Sequence, residues 1–162
     1  MDDFKMKIKI AQYIKMQKYD YPGALREIKN GKKTGHWIWY VFPQITGLEQ
    51  SCMCQQYGIQ NIEEAKEYLK NETLRNHLYD LCCIHLTKHK DKNIKDIMNI
   101  DDIKLLSCMT LFNIADEKKI CKGIFKKIID TFYNGEEDKL TIDILEKQKK
   151  EKLEKEKLNK KK

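Results

Sequence analysis

Apolar side chains recur every three or four residues along most of this chain, the period of a helix that buries one face. Phe4, Ile8, Ala11 and Ile14 repeat this way after Asp3, a residue able to cap a helix. Asp20 is placed to cap a second helix with Pro22 in its first turn, and Asn30-Gly31 is a natural stop. Asn61 and Glu64 have capping-box spacing and open a segment holding Ala65, Tyr68 and Leu69. Residues 73–89 predict a Leu-rich helix through Leu74, Leu78, Leu81 and His85. Asp101 precedes Ile103, Leu105, Leu106, Met109 and Phe112. Asp116 precedes Ile120, Ile124, Phe125, Ile128, Ile129 and Phe132, the clearest amphipathic run, which Asn134-Gly135 ends. Two prolines and seven glycines are few for the turns of an all-β domain.

Trp37-Ile38-Trp39-Tyr40-Val41-Phe42 fits either a buried strand or a buried central helix. A lone strand among helices has no evident partner. The helical reading is therefore taken, with Thr34 as cap and an end before Pro43. The expected fold is all-α: one compact domain of about seven helices over residues 1–143, with a Lys/Glu-rich tail over 144–162 that is helical or disordered.

Charge is uneven. The chain carries +7, and residues 144–162, with nine Lys and four Glu, supply +5 of it. Only Arg26 and Arg75 offer the guanidinium fork that phosphate recognition usually recruits. A nucleic acid or an anionic surface is thus a minor expectation, confined to the tail. With 35% charged residues and a mean hydropathy of −0.71, no run approaches the ~18 apolar residues of a spanning helix. The N-terminus lacks the basic-then-apolar order of a signal peptide, so the expectation is a soluble cytoplasmic protein. Oligomeric state is not legible.

Six Cys, at 52, 54, 82, 83, 108 and 121, include no C-x-x-C pair, and reduced thiols are expected. Cys82, His85 and His89 share a helix face and could meet a metal. Core packing of Cys82 and His85 with an exposed His89 is the simpler expectation. The residues nominate no cofactor.

The polar residues that stand out are embedded in apolar sequence. His36, Trp37 and Trp39 lie just before Phe42-Pro43-Gln44, with Ser51 soon after; Asp101, Lys104, Ser107 and Thr110 recur every third residue. Indoles supply flat apolar walls and N–H donors. Gln offers a donor and an acceptor on one planar edge, and His exchanges a proton near neutral pH. His36 is the catalytic candidate; Trp37, Trp39, Gln44, Ser51, Asp101, Lys104, Ser107 and Thr110 are the ligand-binding candidates. Most also have a structural alternative: core for the indoles, closing a turn for Gln44, a cap for Asp101, back-bonding for Ser107 and Thr110, and a structural hydrogen bond for His36.

The stretch Tyr21-Pro-Gly-Ala-Leu-Arg-Glu-Ile-Lys-Asn-Gly-Lys-Lys-Thr-Gly-His-Trp-Ile-Trp-Tyr-Val-Phe-Pro-Gln44 resembles the hallmark of domain-of-unknown-function family 1810: an Ala-Leu helix, a Gly-x-Lys turn, His-Trp-x-Trp, an aromatic and Phe-Pro-Gln. The similarity runs on through Gly47-Leu48, Ser51, Tyr57, Ile59, Glu64-Ala65 and Tyr68-Leu69. It closes with Asp101-Asp-Ile-Lys-Leu-Leu-Ser-Cys-Met-Thr-Leu-Phe112. The resemblance implies a compact, mostly helical domain and no established activity. Some members are mislabelled calpastatin, but no Pro-rich calpain-inhibitory repeat occurs here. Against the family pattern, Cys108 replaces a Ser, Asn71-Glu72 a His-Pro, His77 an Arg and Glu49 a Gly.

Two function classes stay open. One is a pocket for a small polar or nucleotide-like ligand between the 36–44 segment and the 101–112 helix. The other is a non-catalytic regulatory or protein-interaction module with a polybasic tail.

Overall fold

The computed structural model describes residues 3–161. Leu105 to Phe112 are all buried. A helix enclosed on every side belongs at the centre of a domain, and α7 (Asp102–Ala115) takes that place. Around it lie α4 (Ile62–Lys70), α6 (Ile94–Met98), α8 (Ile124–Phe132) and the start of α9 (Lys139–Lys160). The long α1 (Asp3–Lys29) packs along α5 (Glu72–Lys88) and touches α4 and α2 (Ile38–Val41), which meets α3 (Cys52–Tyr57). A 3-10 turn at Asn99–Asp101 leads into α7. The fold is all-α, as expected, with nine α-helices among the described residues. Two expected helices merge into α1, while α3 and α6, of six and five residues, and the tail helix α9 come in addition to the seven. One parallel bridge, Ile45 with Ile59, is bonded through Thr46 N–H to Ile59 O (2.9 Å) and Ile59 N–H to Gln44 O (2.7 Å).

Several local expectations are corrected. Asp20 caps nothing: α1 runs unbroken through Pro22. Pro22 is exposed, while Tyr13, Gln17, Ala24 and Ile28 bury a stripe on both sides of it, so packing outweighs the lost hydrogen bond. Asp20 instead accepts a hydrogen bond from the Tyr40 hydroxyl. Gln17 binds the elements together, its amide donating to Tyr40 O (2.7 Å) and lying 2.8 Å from the Tyr68 hydroxyl. Its oxygen lies 2.8 Å from His77 Nδ1. The Trp segment is helical for a single turn, and Thr34 does not cap it. Asp116 accepts from Ile120 and Cys121 N–H (both 2.9 Å) in a turn, so α8 starts only after Gly123 and Ile120 is exposed.

His89 is buried, not exposed. Its Nε2 lies 2.7 Å from Ile28 O, because the end of α1 folds over it at Gly31. Gly31 has φ +75°, and a Cβ there would sit 3.2 Å from His89 Cε1. Asn61 and Asn71 cap α4 and α5 through Glu64 N–H (2.9 Å) and Leu74 N–H (3.1 Å). The charged tail continues α9 to Lys160. Ile144 and Leu145 pack on the core, and Gln148 donates to Gln60 O (2.9 Å); from Lys149 on, the helix is exposed.

Candidate functional site

The connection from α1 to α2 carries the His-Trp-x-Trp segment, and Glu27 at the end of α1 shapes it. Glu27 Oε1 accepts from Thr34 N–H (2.6 Å), Gly35 N–H (2.6 Å) and Trp37 Nε1–H (3.2 Å). Partial burial pushes the carboxyl up, but the bonds from Gly35, Thr34 and Trp37 together outweigh it and hold Glu27 below the usual carboxylate range. Gly35 leaves the room for this arrangement, since a Cβ there would lie 2.8 Å from Trp37 Cδ1 and 3.0 Å from Glu27 Oε2. Gly35→Ala is therefore expected to prise Trp37 from Glu27, destabilising the fold by roughly 1–3 kcal/mol. Urea unfolding followed by Trp emission measures this; an unchanged midpoint would show that the loop closes without the glycine.

Lys33, 5% exposed, joins this loop to the start of α7. Its Nζ lies 2.8 Å from Asp101 Oδ2, donates to Gly35 O and sits 4.6 Å from the centre of the Trp37 ring. Its backbone N–H bonds Ile97 O (2.7 Å), and Asn99 Nδ2–H bonds its carbonyl (2.5 Å). The ion pair continues outward: Asp101 Oδ1 is 3.4 Å from Lys104 Nζ, which lies 5.9 Å from the Trp39 ring centre and 3.8 Å from Glu49 Oε1. Glu49 Oε2 accepts from the Cys54 thiol at 3.3 Å. Burial raises the Cys54 thiol, the Ser51 hydrogen bond lowers it, Glu49 raises it and Lys104 lowers it, with the net shift upward. Trp39, Gln44, Ile45, Leu48, Glu49, Cys54 and Gly58 line a cleft of about 10 Å³, room for one water.

The structure thus brings together Trp37, Trp39, Gln44, Asp101 and Lys104. Asp101 serves as a counterion and not as a side-chain cap. Ser51 caps α3, accepting from Cys54 N–H (3.2 Å), and is not among the residues lining the cleft. Ser107 and Thr110 are elsewhere: Ser107 Oγ lies 2.7 Å from Asp138 Oδ2, and Thr110 Oγ1 accepts from Asp138 N–H (2.9 Å), docking the start of α9. His36 is exposed on the loop between Gly35 and Trp37. Glu27, Lys33 and Glu49 complete the site and were not among its candidates. Lys33 alone had a signal, as the last residue of the Gly-x-Lys turn. Cys82, His85 and His89 assemble no site: no group of three or more potential metal ligands occurs among the described residues.

Fold and site together define a small all-helical domain whose aromatic loop is clamped by buried carboxylate and lysine against a central helix. The chain belongs to the family described as protein of unknown function (DUF1810), whose model matches residues 7–145. Its fold is also similar to the crystal structure of a conserved hypothetical protein from Mycobacterium tuberculosis. That protein is 33% identical, with a TM-score of 0.79, over 84% of this chain and 95% of that one. None of the curated proteins matches. No helix among the described residues is long and apolar enough to cross a membrane.

Proposed function

We propose that the cleft over Trp39 is a binding site for a small, planar polar ligand of nucleotide-like character, in a cytoplasmic protein. The observation that carries this reading is the Trp39 ring itself. It is half-buried where its neighbours Trp37, Ile38, Tyr40 and Val41 are buried, and it lies beneath a lysine ammonium. A half-buried indole beside a cation, in a cleft that Gln44 also lines, is the chemistry that holds a ring bearing polar substituents. Trp37, clamped by Glu27 and Lys33, sets the loop; Asp101 sets Lys104. His36, exposed on the same loop, is the catalytic candidate for any reaction there. Ser51 supports the cleft by capping α3, and Ser107 and Thr110 by anchoring α9.

A thermal-shift panel of nucleotides, NAD-related compounds and sugar phosphates tests the reading. A ligand at ~100 times its Kd adds about 2.7 kcal/mol, roughly 5–10 °C for a domain of this size. The shift is expected in the wild type, lost in Trp39→Ala and retained in His36→Ala if His36 acts only in chemistry. A flat panel with folded protein moves the assignment to the competing reading, an interaction module. That reading is favoured by Ile100 and Ile103, 87% and 57% exposed beside Asp101 and Lys104. The exposed basic end of α9 would then be its contact with an anionic partner.

A further inference from the structure

Glu49 holds the key to what the cleft accepts. Lys33 and Lys104 share one buried carboxylate, Asp101, at 2.8 and 3.4 Å. Two cations against one anion leave an uncompensated positive charge on the outer member, Lys104, whose side chain is 20% exposed. The chain supplies the missing anion itself, from Glu49 at 3.8 Å. That side chain is 44% exposed and stands on the irregular stretch between Ile45 and α3, so solvent weakens the pair. It lines the cleft together with Trp39 and Cys54, where there is room for a single water.

Resting on the ligand-site reading above, we propose that Glu49 is an intramolecular stand-in for the ligand's own anionic group. The ligand class is then a planar molecule bearing an oxyanion, carboxylate or phosphate. Its ring lies on Trp39, its oxyanion meets Lys104, and Glu49 is displaced into solvent as it enters. A neutral or cationic ligand would leave Lys104 uncompensated once Glu49 moved. Glu49 thereby keeps the empty cleft closed and electrically balanced, and it lowers affinity for the very ligands that the lysine attracts.

The test is isothermal titration of the full chain and of Glu49→Gln at fixed ionic strength. The probes are adenosine monophosphate, benzoate and uncharged adenosine; the first two separate phosphate from carboxylate preference. Glu49→Gln is expected to bind at least one of the two anions about fivefold more tightly, the worth of a half-exposed ion pair, and adenosine no better than the wild type does. Raising salt should weaken the anions alone. Equal anion affinity in wild type and variant, with binding lost in Lys104→Gln, would overturn the role of Glu49 while leaving the site standing. An equal gain for adenosine would mean that Glu49 blocks by bulk and would overturn the anionic class. If no probe binds either folded protein, the ligand-site reading falls, and this proposal with it.

Discussion

His85→Met is expected to remove much of the fold's sensitivity to acid. His85 is wholly buried among Phe42, Phe132 and His89, with ring centres 6.4, 6.0 and 6.4 Å away. Neither of its ring nitrogens has a hydrogen-bond partner among the described residues, nor does His89 Nδ1. Burial first, and His89 second, pull the His85 imidazole down to about 3. The same ring titrates near pH ~6.5 in an unfolded chain. Between those values the unfolded state holds a proton that the folded state excludes. Stability is therefore full above the unfolded value and falls as pH drops from about 6.5 towards 3. The loss from this one residue is on the order of 3 kcal/mol between pH 7 and pH 4. Methionine fills a similar space, has no proton to gain and suits an irregular apolar gap. The pH 7 to pH 4 difference in urea-unfolding free energy should shrink by most of that amount. At pH 7 the variant should match or slightly exceed the wild type, because two unpartnered nitrogens are gone. An unchanged acid response, or a loss above ~2 kcal/mol at pH 7, would show that the ring is hydrogen-bonded in the folded protein.

Of the helix starts that rest on a side-chain cap, the one at Asn61 was readable from local sequence, whereas Ser51 and Asn93 cap short helices that the period did not reveal. Asn61 and Asn71 bond the amides three residues on, and the Leu-rich helix between Asn71 and His89 lies where its period puts it. The misreadings share a cause, in that an acidic residue competes between local and distant partners. Asp20, Asp101 and Asp116 each stand before an apolar run. One takes a tyrosine hydroxyl from α2, one a buried lysine, and one two amides of a turn. Nothing within a few residues distinguishes these fates, because the partner is chosen by packing.

The candidate site divides for a geometric reason. Three residues along an α-helix advance about 300°, so each step falls roughly 60° short of a turn. Over three steps the shortfall is half a turn. Asp101 and Lys104 consequently face the aromatic loop, whereas Thr110 faces the start of α9. The aromatic half was legible because two indoles in one short motif are unusual in so charged a chain. Glu27 was not. It sits mid-stripe near the end of α1, and its task is to hold three donors lying seven to ten residues downstream.

Asp101→Asn should be the most damaging conservative substitution at the site. It leaves the Lys33 ammonium, 5% exposed, without a counterion, facing neutral groups such as the Gly35 carbonyl and the Trp37 ring. Stranding one member of a buried ion pair costs roughly 3–5 kcal/mol, a fall in Tm of about 10 °C for a domain of this size. The reverse cut is milder, since in Lys33→Met the Asp101 carboxylate keeps Lys104 at 3.4 Å and methionine retains the apolar stem beside Trp37. The double variant Lys33→Met/Asp101→Asn should recover at least ~2 kcal/mol of the loss, because the buried charge has gone with its partner. Urea midpoints at constant slope report these differences. An Asp101→Asn protein within ~1 kcal/mol of wild type, or a double variant no more stable than that single one, would show that Lys33 reaches water when its partner is removed. The site should follow the same order. Lys33 holds the carbonyl of Gly35 and the face of Trp37, so freeing it loosens the turn that positions Trp39 beneath Lys104. The binding proposed above should therefore weaken in Asp101→Asn even at temperatures where the chain remains folded, and more than in Lys33→Met, because the aspartate also pairs with Lys104, the cation proposed to meet the ligand's oxyanion.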